Sequence, residues 1–178
     1  MFPDASIHGR FQILHNEHFA YFRSAVEKYG RLYIGLTGQG RDLANQRGRE
    51  AAAQNPLTYW ERVEMWHSAL AAAEDGFGHI VGPFPIERPD LLLDYVPTSS
   101  VCATTVREDW NQAKISRLRS AGYRVDVLYT DLDKQMSGGR IRAMIAAGSR
   151  DWVELVPPGV ADFLTEIGIE ERIRSAAH

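Results

Sequence analysis

The chain has 178 residues, 44% hydrophobic and 24% charged, enough for one domain that buries roughly 70% of its extended surface without metal or disulfide. A single cysteine, Cys102, excludes an internal disulfide and a cysteine-based zinc cluster. Twenty Lys and Arg against 23 Asp and Glu give a net charge of −3, unlike a general nucleic-acid coat.

Ala5 to His8 reads as a first strand running into Gly9-Arg10-Phe11-Gln12. From Asn16 to Tyr29 the apolar positions Phe19, Phe22, Ala25, Val26 and Tyr29 recur at helical spacing, and Gly30 is a natural stop. Arg31 to Leu36 predicts a second, buried strand. Residues 37 to 56 have no period and read as a long loop carrying Arg41, Arg47 and Arg49. Thr58-Tyr59-Trp60-Glu61 matches a capping box that opens a helix fading at Asp75-Gly76.

Ile80 to Phe84 is a third strand, followed by a loop broken at Pro85 and Pro89, and Ser99 to Val106 a fourth. Trp110 to Ala121 is an amphipathic helix and Arg124 to Tyr129 a fifth strand. The tail is helical over Gly139 to Ala147, near Trp152, and over Val160 to Ile173. Strands alternating with helices imply one α/β domain over residues 1–178, with a parallel five-stranded sheet, helices on both faces and a helical C-terminal tail.

In such sheets ligands sit beyond the carboxyl ends of the strands, where strand order reverses. The turn after the first strand carries Gly9, Arg10, Gln12, His15 and His18 within ten residues. A guanidinium, two imidazoles and a helix N-terminus converging there suit a phosphate chain. Only three of the cations are lysines (Lys28, Lys114 and Lys134), and codon bias accounts for the bulk of the arginines. Zinc would need a third ligand beside the histidine pair, and the only cysteine, Cys102, lies far off in sequence.

Gly9-Arg10-Phe11-Gln12 followed by His15-Asn16-Glu17-His18 resembles the GRFQPFHxGH signature of the nucleotidylyltransferase superfamily. Ser137-Gly138-Gly139-Arg140-Ile141-Arg142 resembles its second signature, SGTxIR. Asn55-Pro56-Leu57-Thr58 through Arg62 looks like the "PFT..ER" helix start of archaeal-type nicotinamide mononucleotide adenylyltransferases, and Asp151 through Pro157 like their "DWRSLLP". The four matches fall in order over about residues 5 to 174.

The resemblance implies a Rossmann-like fold. It also implies attack by an acceptor phosphate on the α-phosphorus of a nucleoside triphosphate, releasing pyrophosphate. His15 and His18 would be the catalytic pair, hydrogen-bonding the triphosphate. Gly9, Arg10, Phe11, Gln12, Ser137, Gly138, Arg140 and Arg142 would bind the nucleotide and its phosphates. Mg2+ would bridge those phosphates, with no metal ligand from protein side chains. Arg41, Arg47 and Arg49 would be lid candidates closing over the acceptor.

Two departures stand out. Glu17 replaces the glycine of the first signature. The segment Glu87 to Tyr95 lacks the asparagine and tryptophan that hold nicotinamide in the family, and Thr104 to Trp110 replaces its "SGNP".

The expected activity is therefore adenylyl transfer from ATP to a phosphorylated acceptor such as nicotinamide mononucleotide. Cytidylyl transfer from CTP to a phosphorylated alcohol or phosphonate is the alternative, and a catalytically weak nucleotide-binding module the second. The partners implied are the nucleoside triphosphate and a small phosphorylated acceptor, with a homo-oligomer as in the family. No apolar run nears the about 20 residues that span a bilayer, and the N-terminus lacks a signal-peptide pattern. A cytoplasmic protein without membrane or nucleic-acid partners is expected.

Overall fold

The computed structural model describes residues 1–38, 54–75, 77–106, 110–130 and 136–176. They form two compact units interleaved along the chain. One comprises the described residues within Met1–Arg10, Ala20–Gln39 and Phe77–Gln135, the other those within Phe11–Phe19, Gly40–Gly76 and Met136–His178.

The first unit is built on a sheet of β1 (Ala5–Gly9), β2 (Leu32–Leu36), β3 (Ile80–Pro83), β4 (Val101–Val106) and β5 (Val125–Thr130). Strand order is β3-β2-β1-β4-β5, and every neighbouring pair is parallel. All five residues of β2, LYIGL, are buried, as an apolar run covered on both faces should be. Register sets Ile7 beside Ile34 and His8 beside Gly35.

Helix α1 (Asn16–Tyr29) links β1 to β2, and α4 (Trp110–Ser120) links β4 to β5. These two connections step in opposite directions along the sheet. Because parallel crossovers are right-handed, they place α1 and α4 on opposite faces. The α4 face holds a core of Tyr33, Phe84, Leu92, Cys102, Leu118 and Tyr123. The proline-broken loop contains one short helix, α3 (Pro89–Leu92), with proline in its first turn, where its missing N–H does no harm.

The β1–β4 ladder consists of only Ala5 with Val101 and Ser6 with Cys102. Beyond it, the buried Tyr21 hydroxyl of α1 donates to the Ala103 carbonyl at 2.6 Å. This early divergence lies at the strand-order reversal, on the carboxyl side of the sheet.

The second unit is helical among its described residues. Helix α2 (Tyr59–Ala73) opens with the expected capping box: Glu61 N–H donates to the Thr58 hydroxyl, and Thr58 N–H to the Glu61 carboxylate. Helix α5 (Gly138–Ala146) is followed by a 3-10 turn (Asp151–Leu155), then α6 (Val160–Glu166) and α7 (Ile169–Ala176). Its buried side chains include Trp66, Trp152, Ile141, Ile145, Leu164 and Ile173.

The sequence predicts one helix over Val160 to Ile173, but the structure has two. Gly168 takes φ +68°, which ends α6 and restarts the chain as α7. The other predicted elements are present, with ends shifted by a residue or two.

Candidate active site

The turn after β1 begins in the first unit. Gly9 closes the strand, its carbonyl accepting from Thr37 N–H at 2.9 Å. Arg10 follows, exposed, with its side chain alongside Gly38. The loop candidates Arg41, Arg47 and Arg49 lie outside the described residues.

The remaining motif residues belong to the second unit, where packing holds them closely. Phe11 has φ +48°, an uncommon conformation for an aromatic residue, and sits in the core. Its ring meets Trp66 edge-on at 5.0 Å and His18 edge-on at 5.1 Å. Such backbone strain costs about 1–3 kcal/mol and persists where surrounding contacts over-determine it. Here those contacts orient a motif histidine.

His15 and His18 stack with ring centroids 3.6 Å apart and planes 22° apart. The predicted shared face at the first turn of α1 is thus a stacked imidazole pair. The His15 carbonyl accepts from Phe19 N–H at 3.0 Å, starting the helix directly behind the pair. His15 is buried, and His18 is half-buried.

Gln12 is placed differently from a group free to read a nucleotide. Its Nε2 donates to the Leu57 carbonyl at 2.7 Å, and Leu57 N–H donates back to Oε1 at 2.9 Å. The buried carboxamide thereby ties the first signature to the segment leading into α2. Its main-chain carbonyl also accepts from Arg142 Nη1.

The second signature meets the first at this point. A Cβ on Gly138 would lie 2.5 Å from the Gln12 carbonyl oxygen, so only glycine permits the approach. Ser137 is the N-cap of α5, its hydroxyl accepting from Arg140 N–H at 3.1 Å. The Arg140 side chain lies on the exposed side of α5, whereas Arg142 turns toward the first signature.

Glu17, which replaces the signature glycine, is turned to protein. Its carboxylate accepts from Met136 N–H at 2.9 Å, immediately before the N-cap of α5. Nothing local in the sequence signals a partner 119 positions away.

The histidine pair, the α5 N-terminus and Arg142 all belong to the second unit and all bear N–H groups. Groups of that kind can hold a phosphate chain and neutralise charge that develops on it, without a protein nucleophile. Among the described residues there is no cluster of three or more His, Cys, Asp or Glu side chains suited to a metal ion.

A phosphonoformate cytidylyltransferase from Streptomyces viridochromogenes is 38% identical over 176 residues, 95% of this chain and 94% of that protein. The chain belongs to the nucleotidyltransferases. A nicotinamide-nucleotide adenylyltransferase from Sulfurisphaera tokodaii is 30% identical to this nucleotidyltransferase, over 95% of the chain and 94% of that protein.

Among solved structures, a bifunctional NMN adenylyltransferase/ADP ribose pyrophosphatase from Francisella tularensis matches the enzyme with a TM-score of 0.72 at 16% identity. The match covers 98% of this chain and 52% of that one, so the nucleotidyltransferase spans about half the neighbour's length and shares its fold there. No protein-family model matches the chain. The Rossmann-like architecture expected from the motifs is the one present.

Proposed function

We propose that the enzyme transfers a cytidylyl group from CTP to a small phosphonate acceptor of the phosphonoformate type, releasing pyrophosphate. The observation that carries this reading is the 38% identity, over nearly the full length of both chains, to a phosphonoformate cytidylyltransferase. The acceptor segment agrees with it: Glu87 to Tyr95 contains neither the asparagine nor the tryptophan associated with nicotinamide. Adenylyl transfer from ATP to nicotinamide mononucleotide, the first expectation from the motifs, is the second reading. It is supported by the 30% identity to an archaeal nicotinamide-nucleotide adenylyltransferase.

In either reaction an acceptor oxygen attacks the α-phosphorus, a new P–O bond forms, and the bond to the β-phosphate oxygen breaks. His15 and His18 hydrogen-bond the triphosphate, and His18 stabilises charge growing on the α-phosphate. The two stacked imidazoles, with centroids 3.6 Å apart, bring their ring nitrogens close together, which suits a polyanionic substrate. The N-terminus of α5, with Ser137, Gly138 and Arg142, holds the β- and γ-phosphates. Gly9, Arg10, Phe11 and Gln12 are further nucleotide contacts in this reading, the Gln12 side chain being tied to Leu57.

A Mg2+ ion, when bound with the triphosphate, would supply further charge neutralisation. Arg140 and the lid candidates Arg41, Arg47 and Arg49 are further phosphate contacts in this reading. The 178 residues act as one catalytic domain, cytoplasmic, in a homo-oligomer as in the resembling family. Among the described residues no helix is long and apolar enough to cross a membrane.

Pyrophosphate release measured across four triphosphates and a panel of acceptors tests the proposal. Turnover with CTP and phosphonoformate is expected; turnover confined to ATP with nicotinamide mononucleotide would favour the second reading. His18→Ala should lower kcat by about 10²-fold, the scale of losing one preorganised donor in the transition state. Unchanged turnover in that variant would remove His18 from the mechanism.

A further inference from the structure

A second polar group stands at the carboxyl end of β1, apart from the phosphate motifs. His8 is 4% exposed, and neither ring nitrogen has a hydrogen-bond partner among the described residues. Buried polar groups are costly when unpaired, so an orphaned imidazole at a ligand-binding edge points to a partner that arrives with substrate.

The slot that holds the ring is built for it. The imidazole lies flat on Phe84, with centroids 4.3 Å apart and planes 2° apart. His8 is paired in register with Gly35, and a Cβ at position 35 would lie 2.5 Å from the Phe84 ring. Glycine at 35 is thus what lets Phe84 lie across β2. Phe84 N–H donates to the Leu36 carbonyl at 2.9 Å and fixes the platform from the strand side. With its plane fixed, the imidazole offers hydrogen bonds only along defined in-plane directions.

Surrounding chemistry favours an anion. Burial and the neighbouring Lys114 of α4 hold the His8 ring well below its usual pKa, so it stays neutral and keeps one N–H to donate. Burial also lowers the Lys114 ammonium to about 8. The β1–β4 ladder ends at Ser6, two residues before His8, which therefore lies in the part of β1 beyond that ladder, where strand order reverses.

We propose that His8 is a specificity-determining residue for the acceptor, its imidazole N–H hydrogen-bonding an anionic oxygen of the phosphonate- or phosphate-bearing substrate, with Lys114 as the nearby cation. This rests on the acceptor-transfer reading above. A site built to hydrogen-bond one substrate group rejects analogues that lack it, because the buried donor is then left unpaired.

The test compares His8→Phe, which keeps a ring on Phe84 but removes both nitrogens, with His8→Asn, which restores an N–H donor. With CTP and phosphonoformate, and separately with ATP and nicotinamide mononucleotide, His8→Phe should raise the acceptor KM about tenfold or more. The triphosphate KM should change less than about twofold, and His8→Asn should recover part of the loss. An unchanged acceptor KM, or equal rises in both KM values, would overturn the assignment.

A readout independent of turnover is the histidine ring NMR spectrum of wild-type protein, with the His8 signal assigned by its loss in whichever variant folds. That signal should shift saturably on adding phosphonoformate or nicotinamide mononucleotide; a signal indifferent to both would sink the proposal. A saturable shift in protein that turns over neither pair would retain His8 as an anion contact while overturning the proposed reaction. Turnover without any effect at His8 would do the reverse.

Discussion

The Glu17 carboxylate accepts a hydrogen bond from the Met136 N–H at 2.9 Å, joining the segments of the two signatures across 119 positions of sequence. A carboxylate on the first turn of a helix is electrostatically favourable there, but laid against a triphosphate it would repel substrate. Its bond to Met136 gives the acid a partner on protein and fixes the residue preceding the N-cap of α5.

Replacing Glu17 by the signature glycine removes this link. Such a bond is worth about 1 kcal/mol, so Glu17→Gly should lower Tm by about 2–4 °C in a chain of this size. Triphosphate KM should rise about fivefold, the factor that matches 1 kcal/mol. Glu17→Gln keeps an acceptor oxygen and should stay near wild type. Thermal denaturation and steady-state kinetics of the pair decide the point. Equal losses in both variants would mean that charge, rather than the hydrogen bond, is what matters.

Gly138 and Gly139 are adjacent at the start of α5, yet they should respond oppositely to alanine. A Cβ at 138 meets backbone, with the Gln12 oxygen at 2.5 Å and Ile13 nitrogen at 3.0 Å. A Cβ at 139 finds its nearest atoms, Ser137 Oγ and Arg142 Nη2, at 3.6 and 3.7 Å, ordinary contact. Gly138→Ala should therefore destabilise by about 1–3 kcal/mol and weaken triphosphate binding. Gly139→Ala should be neutral or stabilise by up to about 1 kcal/mol through helix propensity. Denaturant midpoints and triphosphate titrations for the two variants test the contrast.

The sequence disclosed most where the signal was local. Continuous apolar runs marked the buried strands, the Thr58–Glu61 spacing marked a capping box, and the histidine spacing put two imidazoles on one turn. Gly168 was ambiguous because a glycine inside a helical pattern can be tolerated or can end the helix, and only its left-handed φ decides. The pairings Glu17–Met136 and Gln12–Leu57 were illegible, since both join residues far apart in sequence and neither motif names its partner. His8 read as an ordinary strand residue, because its isolation depends on Phe84 and Gly35 from two other segments.

Gln12 should behave as a structural clamp. Its carboxamide satisfies both the N–H and the carbonyl of buried Leu57. Gln12→Ala leaves both groups unpaired, each at about 1–3 kcal/mol, and should lower stability by about 2–6 kcal/mol. Gln12→Glu keeps an acceptor for Leu57 N–H but sets a carboxylate against its carbonyl, so it should be destabilised as well. Chemical denaturation measures both losses. If Gln12→Ala keeps wild-type stability but loses triphosphate affinity, the side chain serves as a nucleotide ligand instead.

Acid sensitivity should trace in part to Glu61. Burial of its carboxyl works against ionisation, but the Thr58 N–H, the Arg172 guanidinium and the Thr58 hydroxyl outweigh burial and hold it below the usual carboxylate range. Arg172 bridges Glu61 at 2.8 Å and also donates to the Pro56 carbonyl at 2.9 Å, just upstream of Leu57. Because the folded-state pKa is depressed, the stabilisation is fully present above the unfolded carboxyl's pKa and is lost as pH falls through the lowered value. Tm followed from about pH 7 to about pH 3 should show a steeper acid decline in wild type than in Glu61→Gln. Arg172→Ala should flatten the same limb by raising the Glu61 pKa toward its unfolded value. Parallel acid limbs in all three proteins would show that the capping box and its arginine contribute nothing pH-dependent to the start of α2.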